Sequence, residues 1–88
     1  MESKITLLFW ENENTFYYQI LINNIYLIRR LDNDMINGTK LLSIVNISKG
    51  KRDLILKNIK VKKNVIKEKN KLKGIWISFF DAKLLAIK

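Results

Sequence analysis

The sequence predicts an α+β domain in which small antiparallel hairpins flank a pair of short helices and a third helix closes the chain. Three observations carry this reading. Aromatic and β-branched residues crowd the N-terminal third and return between Val61 and Ser78, broken by short polar turns, which is strand patterning. Between those segments, from Asn37 to Lys57, apolar residues recur at the three-and-four spacing of helices, interrupted at Ser48-Lys49-Gly50. The length of 88 residues makes one domain, spanning residues 1–88. A chain of this size buries only about 60 to 65% of its unfolded surface, so one small core is expected to serve every element.

Taken in order, Lys4 to Trp10 reads as a strand closed by the polar turn Glu11-Asn12-Glu13-Asn14. Thr15 to Ile22 and Ile25 to Leu31 form a hairpin about Asn23-Asn24, because asparagine tolerates the positive φ of a two-residue turn. The alternate residues Tyr18, Ile20 and Ile22 share one face, which is expected to enter the core. Asp32-Asn33-Asp34 ends the hairpin with side-chain to backbone hydrogen bonds. Turn chemistry and the nearby Arg29 and Arg30 account for Asp32 and Asp34, and no third acid or base accompanies them, so they are not read as a magnesium or catalytic site. Asn37 is the expected N-cap of the first helix, with Ile36 and Leu41 placed as a hydrophobic staple.

The first helix, about Gly38 to Val45, turns Leu41, Leu42 and Val45 inward and leaves Thr39, Lys40 and Ser43 outside. Gly50 is expected to give the following turn its backbone freedom, with Ser48 and Lys49 at the apex. The second helix faces Ile55, Leu56 and Ile59 inward and Lys49, Arg52, Asp53, Lys57 and Lys60 outward. Asp53 and Lys57 stand at i and i+4, so Asp53 is expected to steady the helix by pairing along its surface. In the second hairpin Val65 and Ile66 oppose Ile75 and Ile77 across the charged tip Lys67-Glu68-Lys69-Asn70-Lys71. Gly74 marks a close backbone approach and Trp76 a core position. Ser78-Phe79-Phe80-Asp81 is a capping box for the last helix, Phe79 to Ile87, whose Phe80, Leu84 and Ile87 stripe is expected to close the core.

Composition then narrows the function. With no cysteine and no histidine, the chain can build no disulfide, zinc finger, thiol nucleophile or imidazole base, which excludes several enzyme and metal-site classes. A nuclease would need clustered acids for metal ions and ranks last among the alternatives, so no enzyme activity and no cofactor are expected. The N-terminal apolar run from Ile5 to Trp10 is too short for a membrane or signal segment. Charge is unevenly placed: residues 1–46 carry four basic and five acidic side chains, residues 47–73 eleven and two, and residues 74–88 two and one. The whole excess behind the net charge of +9 therefore lies in one third of the chain. A codon bias toward lysine would act along the entire sequence, yet residues 1–46 contain only two lysines. Clustered basic charge is the electrostatic footprint of a polyanion binder.

Two helices joined by a tight turn, followed by a basic hairpin, give the outline of a winged helix-turn-helix. The run Arg29-Arg30, Asp32-Asn33-Asp34-Met35-Ile36-Asn37-Gly38-Thr39-Lys40-Leu41-Leu42, then Gly50-Lys51-Arg52-Asp53 with Ile55-Leu56-Lys57, then Leu72-Lys73-Gly74-Ile75-Trp76-Ile77, resembles the APSES domain of fungal transcription regulators, a relative of the viral KilA-N domain. The motifs keep the family's order and spacing from Gln19 to Ala86. The chain departs from the family at Leu54, Glu68-Lys69 and Ser78, where relatives commonly carry glycine, Gly-Pro and proline. The resemblance implies a nuclear, sequence-specific regulator that binds double-stranded DNA at a site with a CG-containing core. Such a domain is expected to recruit a protein partner for activation or repression, to block a site, or to be an excised or minimal domain.

The residues expected to contact DNA are Thr39, Lys40, Ser48, Lys49, Gly50, Lys51, Arg52, Lys57, Lys60, Lys62, Lys63, Lys67 and Lys69. The lysines would neutralise phosphates, the tip would act as a wing, and Arg52 would read guanine through a bidentate contact. A KilA-N protein of viral type would share the fold, and a general nucleic-acid binding module, RNA-binding included, without a transcriptional role would share the basic hairpin. The aromatic pairs and GXXG loop that mark common RNA modules are missing from the sequence.

Overall fold

The computed structural model describes residues 4–59, 64–66 and 71–87. Its strands are β1 (Thr6–Trp10), β2 (Thr15–Ile22), β3 (Ile25–Arg30), β4 (Ile36–Asn37), β5 (Asn64–Ile66) and β6 (Gly74–Ile77), and its helices α1 (Gly38–Ile44), α2 (Lys49–Lys57) and α3 (Phe79–Ile87). All strands join one antiparallel sheet in the order β1-β2-β3-β4-β6-β5. The β2–β3 hairpin turns on Asn23 and Asn24 at φ of 50° and 63°, the double positive φ that a two-residue turn of primed type requires. The β5–β6 hairpin also forms as expected, with Val65 opposite Ile75.

The two-residue β4 unites these hairpins. Ile36 pairs with Arg29 of β3 and with Ile77 of β6, so the first hairpin and the wing hairpin share one sheet. No periodicity is readable in two residues, and the sequence reading passes over this strand on its way to the helix cap.

The sheet is strongly curled. Four strand spacings separate β1 from β6, roughly 19 Å in a flat sheet, yet the Trp10 and Trp76 rings lie 5.3 Å apart. The concave side encloses one cluster, Trp10, Tyr17, Ile28, Met35, Leu72 and Trp76. The helices cover part of the other side with a second cluster, Ile36, Leu41, Leu42, Leu56, Ile77 and Ala82. The single core expected from chain length is thus divided by the sheet.

Curling also decides which strand face is interior. Tyr17 is 5% exposed and Tyr18 43%, so the stripe of Tyr18, Ile20 and Ile22 lies on the convex face and the tyrosine of the core is its neighbour. Alternation separates two faces of a strand, but their burial depends on the direction of curl. The last helix shows the same ambiguity. Ala82 and Leu85 pack against the core while Phe80 and Leu84 are exposed, because α3 is apolar on nearly every side and small Ala82 permits close approach. Its start is as expected: the Ser78 hydroxyl accepts from the Asp81 N–H at 3.1 Å and donates to the Asp81 carboxylate at 2.9 Å. Val45 falls just past the end of α1 and is exposed rather than in the core.

Candidate nucleic-acid interface

Asn37 holds the site together. Its side chain is fully buried, and its Oδ1 accepts from the Lys40 N–H at 3.2 Å, capping α1 as expected. Its Nδ2 donates to the Lys73 carbonyl at 2.9 Å, tying the helix start to the wing hairpin. Gly74 makes this possible: its φ is +151°, and a Cβ there would stand 2.3 Å from Asn37 Oδ1. Thr39 adds a third tie, its hydroxyl accepting from the Ile75 N–H at 3.0 Å. Thr39, expected at a phosphate, is therefore half-buried and engaged with β6.

The turn into α2 depends on a different residue from the one the sequence reading favours. Asn46 takes the left-handed conformation at φ 65°, while Gly50 lies within the first turn of α2 with φ outside that region. Asparagine adopts this conformation more readily than other residues with a side chain, so the turn needs no glycine. Gly50 instead leaves an open surface, with no atom within 4 Å of where a Cβ would be. Ser48 occupies the N-cap position, its carbonyl accepting from the Arg52 N–H at 2.8 Å, but its hydroxyl caps nothing. Arg52 does not reach outward: it is half-buried, and its Nη1 donates to the Ile47 carbonyl at 2.9 Å across the turn.

These ties draw α1, α2 and the β5–β6 hairpin around a groove of about 370 Å³. Lys40, Lys49 and Lys73 lie on its walls with Thr39, Asp53, Ile66, Gly74 and Ile75. One lysine comes from each of α1 and α2, and the third precedes β6. Lys40, Lys49, Lys51 and Lys73 make no ion pair among the described residues. Lys51 and Lys57 are exposed on α2. Lys60, Lys62, Lys63, Lys67 and Lys69 lie outside the described residues. Of the charged tip, Lys71 is described, and it turns away from the groove. Its ammonium bonds Gln19 Oε1 and lies over the Tyr17 and Tyr26 rings, at 5.6 and 5.1 Å.

Lys73 and Asp53 are charged groove residues that the sequence did not place among the expected DNA contacts. The close approach assigned to Gly74 was the available signal for Lys73, since whatever Gly74 touches also positions its neighbour. Asp53 was expected to pair with Lys57, but its exposed carboxylate makes no ion pair among the described residues and lines the groove instead.

The acidic turn is accounted for elsewhere. Arg30, its side chain 6% exposed, grips Asp32 through two bonds of 2.9 and 2.7 Å and Glu13 at 2.8 Å. The Arg30 fork holds the Asp32 carboxyl below the usual carboxylate range, and these bonds outweigh burial in raising the Arg30 pKa. Asp34 pairs with Arg29 at 3.0 Å, and Asn33 Oδ1 accepts from the Met35 N–H. A larger hollow of about 470 Å³ beside Trp10 and Leu72 has Glu11 on its wall, the wrong sign for a phosphate.

Comparison with known proteins agrees with this architecture. No family model matches the chain. PHD1 of Saccharomyces cerevisiae is 44% identical over 86 residues, 98% of this chain and 24% of that one. Enhanced filamentous growth protein 1 of Candida albicans is 46% identical over 83 residues, 94% of this chain and 15% of that one. The transcriptional regulator EFH1 of the same species is 48% identical over 77 residues, 86% and 11% respectively. The chain spans about a quarter or less of these curated relatives. Among solved structures, MBP1 from Saccharomyces cerevisiae superposes with a TM-score of 0.82 at 25% identity, covering 96% of this chain and 87% of that one. PCG2, solved in complex with DNA, superposes with a TM-score of 0.83 at 22% identity, covering 98% and 78%. The homologues are APSES-family fungal transcription factors, and the chain is homologous to them over nearly its whole length.

Proposed function

From its homology to the APSES transcription regulators, we propose that this chain is a sequence-specific domain for double-stranded DNA, gripping the duplex with the groove between α1, α2 and the β5–β6 hairpin. One observation carries the proposal. Lysines from α1, from α2 and from the residue just before β6 converge on a single concave surface with no ion pair among the described residues. The buried Asn37 side chain and the missing Cβ of Gly74 hold that surface in one geometry by tying the start of α1 to the wing hairpin. The relatives are regulators of transcription, which supports a nuclear site of action and no catalytic role, and the PCG2 complex shows that this fold takes DNA in another chain.

In this reading Lys40, Lys49, Lys51 and Lys73 contact phosphates, together with Lys57 and the lysines at 60, 62, 63, 67 and 69. Ser48 and Gly50 form an uncluttered surface against which the DNA backbone can lie. Arg52 clamps the turn that presents them and reaches guanine only by exchanging its bond to Ile47. Residues 1–88 act as one domain, a CG-containing core is the expected target, and regulation proceeds by recruiting a protein partner or by blocking the site.

The test is fluorescence anisotropy with labelled duplexes across a salt series, followed by selection from a random duplex pool at physiological salt. Binding that weakens steeply with salt and recovers one short motif is the expected result. Failure to bind duplex at low salt would remove the proposal.

A further inference from the structure

The lysine groove also contains a negative charge. The Asp53 carboxylate is exposed and lines the same groove as Lys40, Lys49 and Lys73. Asp53 follows Lys49 by four residues, so the two stand on one face of α2 about one helical turn apart. A groove serving only as a phosphate track would gain from a neutral or basic residue there, because a carboxylate repels phosphate oxygens and weakens every duplex alike. Asp53 supplies no ion pair among the described residues that would explain it structurally.

A carboxylate accepts hydrogen bonds and donates none when ionised. On a duplex, phosphate oxygens and the N7 and carbonyl oxygens of bases are all acceptors. The donors exposed in the major groove are the exocyclic amino groups, cytosine N4 and adenine N6. With the flanking lysines drawing phosphates to the groove walls, the position left for Asp53 is opposite a base edge.

We propose that Asp53 is a specificity-determining residue that accepts a hydrogen bond from a base amino group, cytosine N4 or adenine N6. The inference rests on the DNA-binding reading above and adds to it one discriminated base and a repulsive element. At the discriminated position, a guanine or thymine would set an acceptor against the carboxylate. Lysines supply affinity, and Asp53 makes that affinity conditional on the base, since discrimination arises as much from penalising wrong partners as from rewarding right ones.

The experiment compares the full chain, Asp53→Asn and Asp53→Glu by selection from a random duplex pool and by anisotropy on selected and random duplexes, with circular dichroism confirming the fold. The full chain should prefer cytosine or adenine at one position, and which of the two appears identifies the donor. In Asp53→Asn, whose amide can donate to guanine or thymine acceptors as well as accept, the penalty on those bases should fall about tenfold while binding to random duplex strengthens. Asp53→Glu keeps the charge but displaces it by a methylene, and should lose the preference without the gain on random DNA. An unchanged motif in Asp53→Asn, or a full chain that binds duplex with no motif, overturns the inference while leaving DNA binding standing. A full chain that binds no duplex at all overturns the DNA-binding reading itself.

Discussion

Arg30 and Lys49 each carry one positive charge and have opposite fates. In the β1–β4 half, Arg30 is buried between Asp32 and Glu13, and Arg29 is paired with Asp34. In the half formed by α1, α2 and the wing hairpin, Lys40, Lys49, Lys51 and Lys73 have no ion pair among the described residues. Acid supply makes the difference, five acidic residues against three basic ones in 1–35 and two against twelve in 36–73. A cation surrounded by acids becomes structural and is lost to ligands. A cation left without them remains available, and three such lysines line one groove.

The contrast is broken most severely at Asn37, which joins the halves. Asn37→Ala should destabilise the fold by about 3 kcal/mol, from loss of a helix cap and the orphaning of buried backbone groups. Urea denaturation should show a lower midpoint at unchanged slope, and duplex affinity should fall as the groove walls separate. A loss below about 1 kcal/mol would mean that the walls are held by something else.

Next comes the arginine cluster. Arg30→Met keeps an apolar stem over Trp10 but abandons two carboxylates, and should cost about 2 kcal/mol, less than for a fully buried pair because Asp32 and Glu13 are partly exposed. Duplex affinity measured where both proteins are folded should stay unchanged, because Arg30 is not in the groove. The same cluster sets an acid limit. Asp32 has a lowered folded pKa, so its contribution is fully present above the unfolded value of about 3.9 and is lost as pH falls through the lower folded value. Denaturation midpoints across that window should drop more in the native chain than in Asp32→Asn.

Lys49→Ala should do the reverse of Arg30→Met. Stability should move by no more than about 0.5 kcal/mol, while affinity falls on all duplexes and the salt slope decreases by about 1. An unchanged slope would take Lys49 out of the interface. The smallest effect is expected at Asp34→Asn, which releases the exposed Arg29 pair and should change stability by less than about 0.5 kcal/mol.

The legible and illegible features divide along physical lines. The Asn23-Asn24 hairpin, the Asn37 cap and the Ser78-Asp81 start of α3 are local hydrogen-bond and dihedral chemistry, complete within a few residues. The burial of Trp76 and the close approach at Gly74 were also legible, since few sites suit a large apolar ring or require a missing Cβ. The facing of β2 and α3 was misjudged because each offers two apolar sides and the choice belongs to a neighbour. The outward facing expected of Arg52 was not found, because its position at the start of α2 is local, whereas the Ile47 carbonyl that its guanidinium bonds is presented by the turn.

The sequence by itself determined the longer strands and the helices, the Asn37 and Ser78 caps and the place of the charge excess, since dihedral preferences, short-range hydrogen bonds and total charge do not depend on how the chain is packed. Only the tertiary structure decided which charges would remain available. The two-residue β4 joins both hairpins into one curled sheet, Asn37 ties Lys73 to the start of α1, and Asp53 shares a groove with three lysines. Each of these is a meeting of residues distant in sequence, and a charge becomes a site only when such meetings fix what stands beside it.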